Sequence, residues 1–170
     1  MENQTNRTKL ETNAREWLSE RGVTIDDIAD LVYYLQSNYH DDLDMDTCRY
    51  NVNQVLGKRE VQNAILTGIQ LDRLAERKDL DEPLQRTIEI DESLYGIDEI
   101  VAFSIVNVYG SIGFTNYGYI DKQKPGILKH LNDKSTGECH TFLDDIVGAI
   151  AAAASSRLAH ATADDELLDD

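Results

Sequence analysis

The sequence predicts an all-α fold built as a single domain of 170 residues. Three observations carry that expectation. Apolar residues recur at helical spacing along most of the chain. Only two prolines interrupt it, and aromatic residues make up just 7%, a composition that leans toward helix. No internal repeat or long linker divides the chain, and one domain of this length buries a substantial core.

The elements follow in order. Residues 1–8 are polar and read as a flexible tail, with a helix over 9–20. Thr24 then caps a second helix, with Asp27 three residues on at capping-box spacing. Ile25, Ile28, Leu31, Val32 and Leu35 form its apolar stripe. Asp26, Asp27 and Asp30 sit in its first turns, where the helix dipole favours negative charge. HDDLDMD is a polar break. From Met45 to about Arg77 the pattern is helical again, with one stripe through Val52, Val55 and Leu56. A second runs through Val61, Ala64, Ile65, Ile69 and Leu74. Gly57 lies between the two stripes and leaves open two helices or one bent helix. ERKDLDEPLQ is a connector, and residues 84–95 allow a short helix.

The segment GIDEIVAFSIVNVYGSIGFTNYGYIDKQKPG is the most apolar. Its Val, Ile and Phe content permits strands. Ile100, Val101, Ser104, Ile105 and Val108 fit a helical face equally well, and the run is long for a strand. Gly110 and Gly113 mark a break or a close packing contact, and Pro125 ends the segment that carries Asp121. NDKSTGE is a loop. A last helix starts within HTFLDDIVGAIAAAASS and runs to about His160. The acidic end of the chain, 162–170, reads as a second flexible tail.

Lysine and arginine number 16 against 32 aspartates and glutamates, a net charge of −16. Such a field repels nucleic acid and anionic membranes, serves solubility and draws divalent cations. Cys48 and Cys139 stand outside any C-x-x-C pair and no signal peptide is present, which fits a reducing cytoplasmic compartment. The longest apolar run, Ile146 to Ala154, is too short to cross a bilayer.

Three acidic clusters ride on apolar segments. On the last helix Asp144, Gly148, Ala151, Ala152 and Ser155 share one face, a stripe of small residues beneath a carboxylate. His140 lies one turn before Asp144, and Asp145 is about 100° away. Dipole compensation explains this pair as well as a site does. Asp98 and Glu99 open a second apolar helix, where an N-cap and first-turn acid is the plainer reading. Asp121 follows an apolar run and precedes Lys124, and a solvent-facing position near a helix end accounts for it alone. Buried charge costs several kcal/mol unless it is paired or metal-bound. Convergence of the three clusters would make a hard oxygen site suited to Mg²⁺ or Mn²⁺. Other chemistry lacks its motif. Asp42, Asp44 and Asp46 start like a calcium loop, but Thr47 and Asn53 stand where glycine and glutamate are needed. No Walker glycine loop or serine elbow occurs, and His130 and His140 lack zinc-ligand spacing.

IDEIVAF (97–103), YIDKQKP (119–125) and GECHTFLDDIVGAI (137–150), in that order, resemble the phosphatidylglycerophosphatase A family. The resemblance covers roughly residues 95–160 and implies a divalent-metal phosphatase acting on phosphatidylglycerophosphate in phospholipid metabolism. By position it assigns Asp98, Glu99, Asp121, Asp144 and Asp145 as metal-site acids, and Lys124 as the holder of substrate phosphate. Asp98, Glu99, Asp145 and Lys124 are then the catalytic candidates, with Lys124 and His140 the candidates for binding substrate. The implied partner is a phosphorylated small molecule or lipid head group, and the small-residue stripe allows a homo-oligomer. The sequence departs from the family pattern in residues 1–90, which lack its Gly/Pro-rich motif. Ile97 replaces a tryptophan, Gly118 an arginine, and Asn132, beside Asp133, an aspartate. This chain is similar to the soluble low-temperature-requirement branch, whose small all-α fold has a central helix surrounded by others. Two other readings stand beside the phosphatase. One is a non-catalytic, metal- or ligand-binding regulatory protein. The other is an all-α nucleotide pyrophosphohydrolase, for which Glu89 and Glu92 supply only half of the acidic pattern.

Overall fold

The computed structural model of the chain describes the backbone of residues 7–168 and the side chains as far as Ala161. Among these residues there are nine α-helices and no strand. They are α1 (Lys9–Glu20), α2 (Ile25–Gln36), α3 (Met45–Leu56), α4 (Arg59–Glu76), α5 (Leu84–Glu89), α6 (Ile97–Val106), α7 (Ser111–Gln123), α8 (Ile127–Leu131) and α9 (Leu143–Leu168).

Short polar side chains start the first three helices. The Thr8 hydroxyl accepts from the Glu11 amide, and Asp44 from the Thr47 amide. Thr24 and Asp27 form a reciprocal capping box at α2. Each satisfies amides that a helix start leaves unpaired. Thr8 therefore belongs to the ordered fold rather than to a tail. Gly57 ends α3, and Arg59 begins α4, so the stretch is two helices.

The ambiguous apolar segment is helical. Gly110, at φ +86° and ψ −169°, ends a short 3-10 turn after α6 and starts α7. That conformation is open to glycine and strongly disfavoured for other residues. Gly113 serves close packing instead. A Cβ there would lie 2.9 Å from Val106 Cγ1 and 3.2 Å from Ser156 Oγ.

Every residue from Cys139 to Ser156 is buried. α9 packs against α2, α3, α4, α6, α7 and α8, while α1 lies outside on α4. A helix apolar on all sides is stable only when covered on all sides. Ala149 and Ala151 to Ala154 keep it thin, so the surrounding helices come close. The expected central helix is thus α9. Its backbone continues past His160 to Leu168, while residues 1–6 and 169–170 of the expected tails lie outside the described part. No helix among the described residues is long and apolar enough to cross a membrane.

Gly68 sets the approach of α4 to α9. A Cβ at this position would run into Ile146 Cδ1 and lie 3.0 Å from Phe142 Cβ. Ile146 can rotate, but the Phe142 Cβ moves only with the backbone. Overpacking costs about 1–3 kcal/mol, against a helix-propensity gain of roughly 1 kcal/mol for alanine. Gly68→Ala should therefore lower the thermal midpoint by roughly 2–4 °C. An unchanged or raised Tm by differential scanning fluorimetry would refute this packing account.

Candidate active site

The start of α9 is built by another helix. Asp72 of α4 has no exposed surface. Its Oδ1 accepts from the Phe142 amide and its Oδ2 from the Leu143 amide, both at 3.0 Å. Burial pushes its pKa well above the usual carboxylate range, while these two amides and Arg21 pull it back. The incoming loop is stapled as well. Arg21 Nη1 donates to Glu76 Oε2 at 3.1 Å, and Nη2 donates to the Cys139 carbonyl at 2.8 Å. The Cys139 amide donates back to Glu76 Oε1 at 2.6 Å. Thr141 Oγ1 donates to the Ile88 carbonyl at 2.6 Å. Loop and helix start are thereby fixed to α1, α4 and α5, and the next two residues are Asp144 and Asp145.

Three helix segments bring acids to one cleft of about 270 Å³. Asp98 and Glu99 come from the first turn of α6, Asp121 from the last turn of α7, and Asp144 and Asp145 from the first turn of α9. Lys124 lines the same cleft, as do Asp91, Glu92, Ser93 and Asn132. The five acids that the sequence offered separately thus share one space.

Within it, Lys124 Nζ donates to Asp121 Oδ1 at 2.6 Å and to Asp144 Oδ2 at 3.2 Å. Lys124 caps α7 at φ +47°. This left-handed conformation costs a non-glycine residue roughly 1–2 kcal/mol. The pairing with both acids offsets that strain. Burial disfavours its ammonium, but Asp144 and Asp121 outweigh burial and raise its pKa. Lys124 is therefore firmly cationic. Burial also raises Asp144, to about 6, with Lys124 opposing the rise and Asp91 adding to it. Asp145 goes further, to about 10, through burial, the neighbouring Asp144 and a hydrogen bond with Asp98. Asp145 is thus a neutral acid at pH 7 that can donate to Asp98. Its amide meanwhile donates to Asp144 Oδ1 at 2.8 Å.

Among the described residues no three acidic, histidine or cysteine side chains are already gathered as a ligand set. The ammonium of Lys124 lies between Asp121 and Asp144 instead. In kind, the donors suit a hard divalent cation, since all are carboxylate oxygens. In charge they exceed what one lysine neutralises, and the proton held on Asp145 reflects that excess. The residues fit such an ion by chemistry, and binding would displace the Asp145 proton and compete with Lys124.

His140 does not join the cleft. It precedes α9 and is buried, with Nε2 2.9 Å from Glu138 Oε2 and Nδ1 3.4 Å from Arg21 Nη2. Burial lowers its pKa. Extending the helix back one turn had placed it beside Asp144, but the stapled loop turns its side chain toward Arg21. Asp72, in contrast, was not among the sequence candidates. Its signal is its position: it continues the stripe of Val61, Ile65 and Ile69, where an apolar residue belongs. Asp91 and Ser93 were not among the sequence candidates either, because a turn with no helical period carries them, and Glu92 stood out only as half of a pyrophosphohydrolase pattern.

Comparison with known proteins agrees with this architecture. The family model for phosphatidylglycerophosphatase A matches residues 15–160. The uncharacterised protein YutG of Bacillus subtilis is 74% identical over 153 residues, covering 90% of this chain and 92% of YutG. YpjQ of the same organism is 58% identical over 146 residues, covering 86% of this chain and 82% of YpjQ. The crystal structure of the low temperature requirement C protein from Listeria monocytogenes superposes with a TM-score of 0.91 at 67% identity. It covers 92% of this chain and 99% of its own.

Two outcomes check the site. Asp72→Ala strands two buried amides, at about 1–3 kcal/mol each, so urea unfolding should show a loss of about 2–5 kcal/mol. A loss below about 1 kcal/mol would mean that water replaces the carboxylate. For Asp145 the folded pKa lies above the ordinary 3.8, so its contribution to stability is complete below that value and is lost as pH rises toward about 10. Asp145→Asn keeps a neutral donor there. Without added metal it should raise Tm at pH 7.5 by roughly 2–4 °C or more, and by much less at pH 4. An equal effect at both pH values would count against the buried, protonated acid.

Proposed function

The chain belongs to the phosphatidylglycerophosphatase A family, and from that premise we propose that it is a divalent-metal-dependent phosphomonoester hydrolase. The family points to a phospholipid-derived substrate, the phosphorylated head group of phosphatidylglycerophosphate. One observation carries the reading: Asp98, Glu99, Asp121, Asp144 and Asp145 line a single cleft with a protonated lysine among them.

Asp98, Asp121, Asp144 and Asp145 would hold the cation. Mg²⁺ or Mn²⁺, when bound, supplies Lewis acidity toward a phosphoryl oxygen and toward water. The chain supplies the rest. Lys124, held cationic by its two aspartates, meets the negative charge of the phosphate and the charge that develops on its oxygens. Glu99 is exposed at the cleft, within reach of solvent, and takes the proton of the attacking water. Asp98 and Asp145 are buried and line the cleft. The net charge of −16 does not bar an anionic substrate, because a bound divalent cation and Lys124 would present positive charge directly to its phosphate.

A second reading, a non-catalytic metal or ligand binder, draws on the Lys124 bridge, which already occupies Asp121 and Asp144. Phosphate release with Mg²⁺ or Mn²⁺, measured across phospholipid head groups, sugar phosphates and nucleotides, separates the two. The wild type should hydrolyse at least the head-group class. Asp144→Asn should lose about 100-fold or more in kcat/KM, the equivalent of several kcal/mol of charge stabilisation, with an unchanged helical circular dichroism signal. Metal binding without phosphate release from any substrate would favour the binder.

A further inference from the structure

Tyr117 lies at the point where the three acid-bearing helices meet. It sits on α7 one turn before Asp121 and is 4% exposed. Its ring stands edge-on to Phe103 of α6, with centroids 5.4 Å apart at 83°. Phe103 is one turn after Glu99. On the third side, Tyr117 Cε2 lies 3.8 Å from where a Cβ on Gly148 of α9 would be. Gly148 is one turn after Asp144. Thus α6 and α9 each carry an acid of the cleft and, one turn on, a residue beside the ring that α7 contributes.

Filling that junction needs only a phenyl ring. Tyrosine adds a hydroxyl that is buried and has no hydrogen-bond partner. Such a group is unfavourable and rare in a finished core. The charges it feels are those of the cleft, Asp145 first, then Asp121, Asp144 and Glu99. All are acceptors, and none is yet bonded to it. In this state Asp144 and Asp121 are engaged with Lys124, and Asp145 with Asp98.

We propose that the Tyr117 hydroxyl is a positioning donor, held in reserve for the Asp145 carboxylate when a divalent cation enters the cleft. The role rests on the metal-dependent reading above. A carboxylate that ligates a metal needs its other lone pairs fixed by a donor, and loss of such a donor typically lowers metal affinity 10–100-fold. Tyr117 touches neither substrate nor reacting atoms. It acts through Asp145, on α9, from α7.

The experiment is Tyr117→Phe in the full chain, with Mn²⁺ titrated against thermal stability and, independently, by the electron paramagnetic resonance signal of free Mn²⁺. Metal-free Tyr117→Phe should melt no lower than the wild type, because an unsatisfied hydroxyl has been removed. Its Mn²⁺ dissociation constant should rise about 10–100-fold. Phe103→Leu loosens the same ring without removing the hydroxyl, and should lower the metal-free Tm while leaving Mn²⁺ affinity unchanged. Equal Mn²⁺ affinity in Tyr117→Phe and wild type overturns the proposal. So does a matching affinity loss in Phe103→Leu, which would assign the effect to packing. A wild type that takes no Mn²⁺ at all overturns the metal-dependent reading and this inference with it.

Discussion

Asp72 holds the start of the central helix, and the site follows from that contact. A helix start leaves amides unpaired, and on the surface water serves them. α9 begins inside the protein, so its first amides need a partner built into another element. The Asp72 carboxylate, one oxygen to each of two amides, is that partner. The same contact fixes the rotation of α9 relative to α4. Asp144 and Asp145 follow immediately, so their direction into the cleft is inherited from an acid that never reaches it. The Arg21–Glu76 pair performs the corresponding service for the preceding loop.

Electrostatic economy governs what lies beyond that cap. Seven acids line one cleft, and among the described residues that line it only Lys124 is a cation. The cluster tolerates itself by keeping Asp145 neutral and by tying Asp144 and Asp121 to one ammonium. That ammonium is held by a left-handed residue at the end of α7, a position more often taken by glycine. A lysine there turns the chain end and delivers a cation in one step. The resulting site is poised: a proton and a lysine relieve only part of its negative charge, and a divalent cation would challenge both.

Much of this was legible in the chain. Thr24 with Asp27 marked a helix start, because capping acts over three or four residues, while Gly57 left open two helices or one bent helix. The three acidic clusters stood out because carboxylates on apolar segments are expensive. Other features were not legible. The segment around Ile100 fitted strand or helix, since its Val, Ile and Phe content suits strands while its spacing suits a helical face until the packing partner is known. His140 was assigned to the face of Asp144 by extending helical spacing into a loop that Arg21 and Glu76 hold differently. Asp72 was not among the candidates, although its place on an apolar stripe was the clue.

The sequence by itself determined the all-α class, the helix boundaries set by local caps, and the identities of the acids and lysine available for chemistry. Only the tertiary structure decided which of them meet, which stay charged, and which serve as supports. The division has a physical cause. Helix spacing and capping are local, so a few neighbouring residues specify them. Burial and Coulomb interactions depend on what other helices place within a few ångströms. The same aspartate is a capping support at 72, a neutral acid at 145 and a lysine partner at 121 and 144.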